Sequence, residues 1–270
     1  MTRKHKVSAF IPVQNVEDII RPCLESVQWV DEIFIVDAFS TDRTLEICRE
    51  FPNVKIVQHE YENSGAQRSW GMPQVAHDWV FIIDSDERCT AELHAEIDNI
   101  LARDDIVHDG FLVPIKTKFL GKLQNHDRYL GYKGMRLVHR NAYKQYTLRR
   151  VHSTLDVKNR SRIRNKEAFI IHEPIRDFKN HLHKMARYAN WAANDLFEKG
   201  KHAHWYHFTL RPFYKFFNHY FFKLGFLDGI RGLILCSIAA WAVFLKYYAL
   251  FVLEHSSEIE KQEDKSIIGP

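Results

Sequence analysis

The chain has 270 residues, 46% of them hydrophobic, so it is long enough to bury the core of one large domain or two small ones. Its 38 lysines and arginines nearly balance its 34 aspartates and glutamates, and the formal net charge of +4 is far below that of a dedicated nucleic-acid-binding protein. Nucleic acid is therefore not an expected partner, and any basic binding surface must be local.

The cysteines and the N-terminus favour a reducing compartment. Four cysteines lie far apart without a Cys-x-x-Cys pair, which argues against a zinc knuckle and against a disulfide framework. The apolar stretch 7–13 after the basic N-terminus is too short for the hydrophobic region of a signal peptide. We therefore expect the protein to remain inside the cell.

The first hundred residues alternate between strand and helix patterns. Short β-prone apolar runs predict strands at 7–13, 32–36, 54–58 and 79–83. Helix-spaced apolar residues predict helices at 15–27, 44–51 and 66–76, with Thr41 or Asp42 as a cap for the second. This alternation predicts a largely parallel sheet wrapped by helices, with ligands outside the carboxyl ends of the strands.

The alternation ends after Leu101. Segments 110–116 and 134–139 are typical of strands, and a polar stretch rich in histidine and arginine lies between Thr147 and Lys166. Helical patterns return at 181–199, followed by an aromatic helix and a long apolar one. The polar segment 256–270 is predicted to be a disordered tail.

Acidic residues follow two of the predicted strands. Asp84 and Asp86 come directly after strand 79–83, and in an extended segment residues two apart face the same way. Two carboxylates at a strand end suit Mg²⁺ or Mn²⁺ bridging to phosphate oxygens. The simpler alternative is a solvated acidic turn before a helix that begins near Thr90. Asp37 ends strand 32–36, where an acidic side chain can contact a nucleoside.

Several segments in this order resemble one enzyme family. FIPVQNVEDIIRPCLESVQWVDEIFIVDAFSTDRT, GAQRSWGM and WVFIIDSDE, followed by GYKGMRLVHR, IIHEP and FFKLGFLDGIRGL, are similar to family 2 glycosyltransferases with the GT-A fold. The likeness extends to the subgroup that builds lipopolysaccharide inner core and related bacterial surface glycans. It implies an α/β fold with a Rossmann-type, mostly parallel sheet flanked by helices.

The resemblance also implies roles for individual residues. Asp37 would contact the uracil or ribose, and Arg68 with Gln67 would lie near the diphosphate. Asp84 and Asp86 match the family's DxD motif, which holds the donor and an Mg²⁺ or Mn²⁺ ion, and His172 stands where a further metal ligand is often found. Without the resemblance, the sequence around His172 favours a structural histidine. Three residues after the first strand would line the nucleotide pocket: Pro12, Asn15 and Glu17.

The general base is not evident. In the related subgroup the VH of RRVHSTL is usually followed by Glu, whereas Ser153 stands here. His152 and Asp156 are equal candidates for the base, and each has a structural or solvated alternative. The departure at Ser153 leaves open a non-catalytic nucleotide-sugar-binding protein on a decayed transferase fold.

The C-terminal third carries a candidate membrane surface. Between Pro212 and Leu224, aromatic residues recur at helical spacing beside a basic flank of Arg211, Lys215, His219 and Lys223. A core helix is the alternative. The span 233–253 is long enough to cross a bilayer, but Lys246 and the acidic tail favour a monotopic or hairpin-like association.

These patterns and the resemblance combine in one expected organisation. A GT-A catalytic domain occupies 1–180, with a nucleotide-binding half at 1–115 and an acceptor half at 116–180. Membrane-associating helices at 181–255 and the tail at 256–270 follow. The expected activity is inverting transfer of a hexose from a UDP-sugar to a lipid-linked saccharide acceptor such as a lipopolysaccharide core. The expected location is an anionic membrane surface on the cytoplasmic side of the inner membrane.

Overall fold

The structure is a computed structural model that describes residues 3–124, 133–141, 155, 157–174 and 178–267, with residues 133, 178, 180 and 257–267 described as backbone alone. The chain divides into two compact units. The first comprises Met1–Leu123 and Leu130–Pro174, and the second comprises Gln124–Tyr129 and Ile175–Pro270. The domain boundaries expected from the sequence remain predictions.

A mixed sheet forms the centre of the first unit, and among the described residues it contains ten strands in the order β3-β2-β1-β4-β8-β6-β10-β5, with β7 and β9 on β6. Strands β3, β2, β1 and β4 are parallel, and β8 is antiparallel to both β4 and β6. The strands are β1 Val7–Val13, β2 Glu32–Asp37, β3 Val54–Gln58, β4 Trp79–Ile82, β5 Glu87–Cys89, β6 Gly110–Phe119, β7 Lys122–Leu123, β8 Lys133–His139, β9 Arg160–Arg162 and β10 Ile170–His172.

Helices cover this sheet on both faces. They are α1 Ile20–Ser26, α2 Thr44–Arg49, α3 Ser64–Gly71 and α4 Ala91–Leu101. Residues of β1, β2 and β4 that face one way pack with α1 and α4, and those that face the other way, including Phe10 and Phe34, pack near Met72. The central strands are buried throughout because both faces are covered. The predicted α/β architecture with a helix-flanked sheet is confirmed.

The first helix is shorter than the predicted helix at 15–27. It begins at Ile20, because Asn15 adopts a left-handed φ of 49° and the residues after it form turns instead of a helix. The backbone amide of Asn15 donates to Ser40 Oγ, and that of Val16 donates to Thr44 Oγ1. Tertiary hydrogen bonds to the loop after β2 thus replace the first helical turns.

The second unit is helical in its described part. It contains α5 Phe178–Phe197, α6 Trp205–Phe208, α7 Leu210–Phe217 and α8 Gly229–Ile267, with a π-helical turn Asn218–Phe222 and a 3-10 turn Gly225–Asp228 before α8. Helices α5 and α7 both pack on α8. The segment Gly225–Ser256 is long and apolar enough to cross a membrane by length and composition, with a mean hydropathy of 1.8. The α8 backbone continues through much of the segment predicted as a tail.

The four cysteines are free, and three of them are buried. Burial raises the pKa of the Cys89 thiol and of the Cys48 thiol to about 12. These thiols are therefore protonated at neutral pH and are poor nucleophiles.

Candidate active site

A cluster of charged side chains lies at the carboxyl end of β4. The chain leaves β4 and turns at Asp84, where the Glu87 amide donates to the Asp84 carbonyl at 2.9 Å before β5 begins. The segment is therefore a turn and not the extended strand expected from the sequence. Its acidic side chains point to different partners within one small region of the first unit.

Asp84 lies between two arginines. Arg68 Nη2 donates to Asp84 Oδ1 at 2.5 Å, and both terminal nitrogens of Arg136 lie 3.3 Å from Asp84 Oδ2. Burial alone would raise the pKa of Asp84, but the two guanidinium groups outweigh it and lower this pKa to about 2. Asp84 is thus ionised, and its ion pair with Arg68 connects α3 to the turn after β4.

Glu87 is a second, fully buried carboxylate in the cluster. Arg136, itself only 4% exposed, donates to Glu87 Oε1 at 2.5 Å, and the Asp84 amide donates to Glu87 Oε2 at 2.9 Å. Burial raises the pKa of Glu87 to about 7 although Arg136 favours the charged form. Arg136 thus holds two carboxylates at once and ties β8 to the turn after β4.

Asp86 turns towards His172 instead. Asp86 Oδ2 lies 3.4 Å from His172 Nε2, because β10 is antiparallel to β5 and places His172 opposite Glu87. The Glu173 amide also donates to the Asp86 carbonyl at 3.0 Å. A hydrogen-bonded β-bridge therefore holds the acidic turn against the end of β10.

Carboxylate and imidazole are both suitable ligands for a divalent ion. Two ligands that each lie about 2.1 Å from one ion are about 3.0–3.4 Å apart, so the Asp86–His172 separation fits shared coordination. Within the part of the chain that the structure describes, no group of three or more such side chains is assembled for a metal. Asp86 and His172 could therefore hold an ion whose other ligands come from outside the protein, such as a diphosphate.

The residues predicted for the nucleotide pocket form a hydrogen-bonded loop cluster. Asn15 Oδ1 accepts from the Thr41 amide at 2.8 Å, and Glu17 Oε2 accepts from the Arg43 amide at 2.8 Å. Pro12 lies in β1 opposite Val36. The partners of Asn15 and Glu17 lie in the loop after β2, so these two side chains order the chain at the carboxyl ends of β1 and β2.

Asp37 ends β2 and is fully buried. Its carboxylate accepts from the Ser40 hydroxyl at 2.5 Å and from Gln58 Nε2 at 2.9 Å. In this structure Asp37 therefore stabilises the loop and β3, and a direct contact with a base stays a prediction.

Gln67 and Arg68 are neighbours on α3 with different surroundings. Gln67 is buried, and its Oε1 lies 3.0 Å from His59 Nδ1, while the His59 ring stacks on Trp70 at 4.1 Å. Arg68 points into the acidic cluster. Asn63 caps α3 by accepting from the Ala66 amide, which fixes the direction of the helix and hence of Arg68.

The structure brings Arg68, Asp84, Asp86 and His172 together as predicted neighbours. The predicted base candidates His152 and Asp156, together with Ser153, lie outside the described residues. Arg136 and Glu87 were missed by the sequence analysis. An arginine inside the apolar strand segment MRLV is a usable signal, because a buried guanidinium requires acidic partners.

Comparisons with known proteins show which family this chain resembles. The family described as Glycosyl transferase family 2 matches residues 8–171. An uncharacterized glycosyltransferase of Rickettsia conorii is 26% identical over 269 residues, covering 89% of this chain and 88% of that one. Lipopolysaccharide core biosynthesis glycosyltransferase LpsC of Rhizobium meliloti is 22% identical over 258 residues, covering 92% and 95%.

A solved structure has a similar fold. S. aureus TarS 1-349 in complex with UDP-GlcNAc matches with a TM-score of 0.52 and 18% identity, covering 94% of this chain and 92% of that chain. At this identity the likeness concerns the fold.

Proposed function

Because the chain belongs to glycosyl transferase family 2, we propose that it transfers a hexose from a UDP-sugar to a saccharide acceptor on a lipid, with inversion at the anomeric carbon. The observation that carries this proposal is the cluster at the end of β4, where Asp84 is paired with Arg68 and Asp86 faces His172. The TarS complex with UDP-GlcNAc supports the choice of UDP-sugar as donor.

We assign roles in donor binding to most residues of the cluster. Asp86 and His172 would hold a Mg²⁺ or Mn²⁺ ion, which would supply positive charge near the departing diphosphate. Arg68 binds the diphosphate from α3, and its pairing with Asp84 keeps the guanidinium extended before the donor arrives. Arg136 positions Asp84 from β8. Pro12, Asn15, Glu17 and Asp37 shape the uridine pocket, and Gln67 supports α3 through His59.

The transfer itself needs a base. The acceptor hydroxyl oxygen attacks the anomeric carbon while the bond from that carbon to the diphosphate breaks, and the base removes the hydroxyl proton. Asp156 and His152 are equal candidates for this role. Ser153 cannot take the proton without a partner.

The acceptor class rests on similarity and on the C-terminal helices. LpsC carries the name of a lipopolysaccharide core biosynthesis enzyme and matches over nearly all of both chains. A lipid-linked saccharide at the cytoplasmic face of the inner membrane would meet a UDP-sugar from the cytosol, and the apolar helix of the second unit would keep the enzyme there.

The test is release of UDP from a panel of UDP-hexoses by purified protein, with and without lipid-linked saccharide extracted from a bacterial membrane. Wild type is expected to release UDP only with acceptor and donor together. Asp156→Asn or His152→Gln is expected to reduce turnover by about 10²–10⁴-fold without changing UDP affinity. Binding of UDP-sugar without turnover on any acceptor would favour the non-catalytic binding protein instead.

A further inference from the structure

An exposed apolar turn follows the short helices of the second unit. The segment 221–230, here called the hairpin tip, connects the π-helical turn after α7 to the start of α8. Phe222 is 77% exposed, Ile230 64% and Leu227 53%. Phe221, Leu224 and Phe226 are exposed as well. Six large exposed apolar side chains at one turn are unusual on a surface that contacts only water.

Glycines allow close packing of the backbone at and beside the hairpin tip. A Cβ at Gly232 would overlap the carbonyl oxygen of Gly225, and a Cβ at Gly225 would lie 2.8 Å from Cys236 Sγ. Leu224 and Gly229 both have positive φ, 61° and 63°. The chain therefore reverses by backbone-to-backbone packing. This reversal of the chain lies in the segment FFKLGFLDGIRGL. The proposed transfer chemistry assigns no role to that segment.

The exposed surface continues along both helices. No residue of α7 is buried, and Phe213 and Tyr214 are 62% and 67% exposed. On α8 the ring of Trp241 is 48% exposed and that of Tyr248 is 53% exposed. Large apolar side chains are therefore exposed on both helices.

Positive charges accompany the apolar side chains. Arg211, Lys215 and Lys223 lie before or within the tip, and Arg231 follows it. Asp228 is the only acidic residue in the sequence between Glu198 and Glu254. His219 is a correction to the predicted basic flank, because it is buried in the π-helical turn, where its Nε2 lies 3.3 Å from Lys223 Nζ.

We propose that the hairpin tip inserts into the headgroup region of an anionic phospholipid bilayer, with its phenylalanines and Ile230 among the upper acyl chains and with Lys223 and the adjoining Arg231 on lipid phosphates. A bilayer suits apolar side chains that project from several sides of a hairpin, whereas a second copy of this chain would need one self-complementary patch. The excess of cations selects anionic lipid over neutral lipid. This inference does not depend on the transferase assignment.

The experiment is flotation of the full-length protein with vesicles of phosphatidylcholine alone or with phosphatidylglycerol added. Wild type is expected to float with the anionic vesicles and far less with neutral ones. The double variant Phe222→Ser with Ile230→Ser is expected to lose at least about tenfold in vesicle affinity. Val107→Ser, which removes a 70% exposed apolar side chain from the first unit, is the matched control and keeps wild-type affinity.

A second variant separates charge from insertion. Lys223→Gln with Arg231→Gln is expected to lose the preference for phosphatidylglycerol, and so is wild type in about 0.5 M NaCl. Arg103→Gln serves as the exposed control in the first unit. Circular dichroism and thermal unfolding identify variants that fail to fold. Unchanged flotation of the folded Phe222→Ser, Ile230→Ser protein would overturn the proposal. So would a lipid-free dimer in sedimentation that this variant converts to monomer.

Discussion

Asp86 Oδ2 lies 3.4 Å from His172 Nε2, and the β5–β10 pairing holds the two side chains in this position. Asp84, two residues earlier, faces the other way and is paired with Arg68 and Arg136. The two carboxylates of one acidic motif therefore have different partners. Asp84 is paired with two arginines, and Asp86 lies beside a histidine.

Loss of His172 is expected to weaken metal binding more than it weakens folding. His172→Ala should lower Mn²⁺ affinity at least about tenfold, because it removes one of the two protein ligands proposed for the ion. The free-ion signal of Mn²⁺ in electron paramagnetic resonance measures this directly. The His94–Asp98 pair on α4 is a matched control, since its atoms lie 3.0 Å apart at the surface. Equal Mn²⁺ affinity of the His172→Ala and His94→Ala variants would contradict the assignment.

Loss of Arg136 is expected to destabilise the first unit. Arg136→Met removes the buried cation that pairs with Glu87 and one of the two arginines beside Asp84, which should cost about 3–5 kcal/mol in the free energy of unfolding. Adding Glu87→Gln should recover part of this loss, because the neutral amide needs no counter-charge. Urea unfolding of both single variants and of the double variant measures the coupling. Additive effects would argue against the pair as described.

Gly71 ends α3 where two core side chains approach the backbone. A Cβ at this position would lie 2.6 Å from Phe10 Cε2 and 2.8 Å from Val36 Cγ2. Gly71→Ala is therefore expected to lower the free energy of unfolding by about 1–3 kcal/mol, although alanine has the better helix propensity. It should also weaken UDP binding, since α3 carries Arg68. Urea unfolding at or above wild-type stability would show that the core accepts the methyl group.

His207 is expected to make the second unit sensitive to acid. Burial, and to a lesser degree Arg211, His204 and Lys246, lowers the pKa of His207 below its ordinary value of 6.5, while Glu254 opposes this shift. The unfolded chain then binds the proton more readily, so stability is complete above about pH 6.5 and is lost as the pH falls towards the folded-state pKa. The ring stacks on Tyr247 at 4.1 Å.

Thermal melts between pH 8 and pH 5 check this prediction. The midpoint of wild type should fall with decreasing pH more steeply than that of His207→Gln, which carries no titrating ring. Parallel curves for the two proteins would mean that other groups govern the acid response.

The sequence predicted most of the strands and helices of the first unit, because its buried strands are short, continuous apolar runs that are easily recognised. Strands β1 and β3 have the predicted bounds. The start of α1 was wrong, since Asn15 and Val16 form tertiary hydrogen bonds that no local propensity records. The π-helical turn at 218–222 is similarly invisible, because one extra residue in a turn leaves the apolar spacing almost unchanged.

The site residues that could be predicted from the sequence are those near the ends of strands and helices. Asp84, Asp86 and Arg68 are contributed by motifs near the ends of elements, and chain order alone suggests that they meet. The Asp84–Arg136 pairing depends instead on β8 joining the sheet antiparallel between β4 and β6, a register that periodicity does not specify.

Calorimetric titration with UDP is the most direct test of the proposed donor site. Wild type in Mn²⁺ is expected to bind UDP, and EDTA or Asp86→Ala should weaken that binding at least about tenfold. Asp78→Ala is the matched control, because Asp78 is a largely exposed carboxylate just before the first residue of β4, at the opposite end of that strand. Failure of the folded wild type to bind UDP under any condition, or equal affinity in Asp86→Ala, would contradict the assignment of this cluster as the UDP-sugar site.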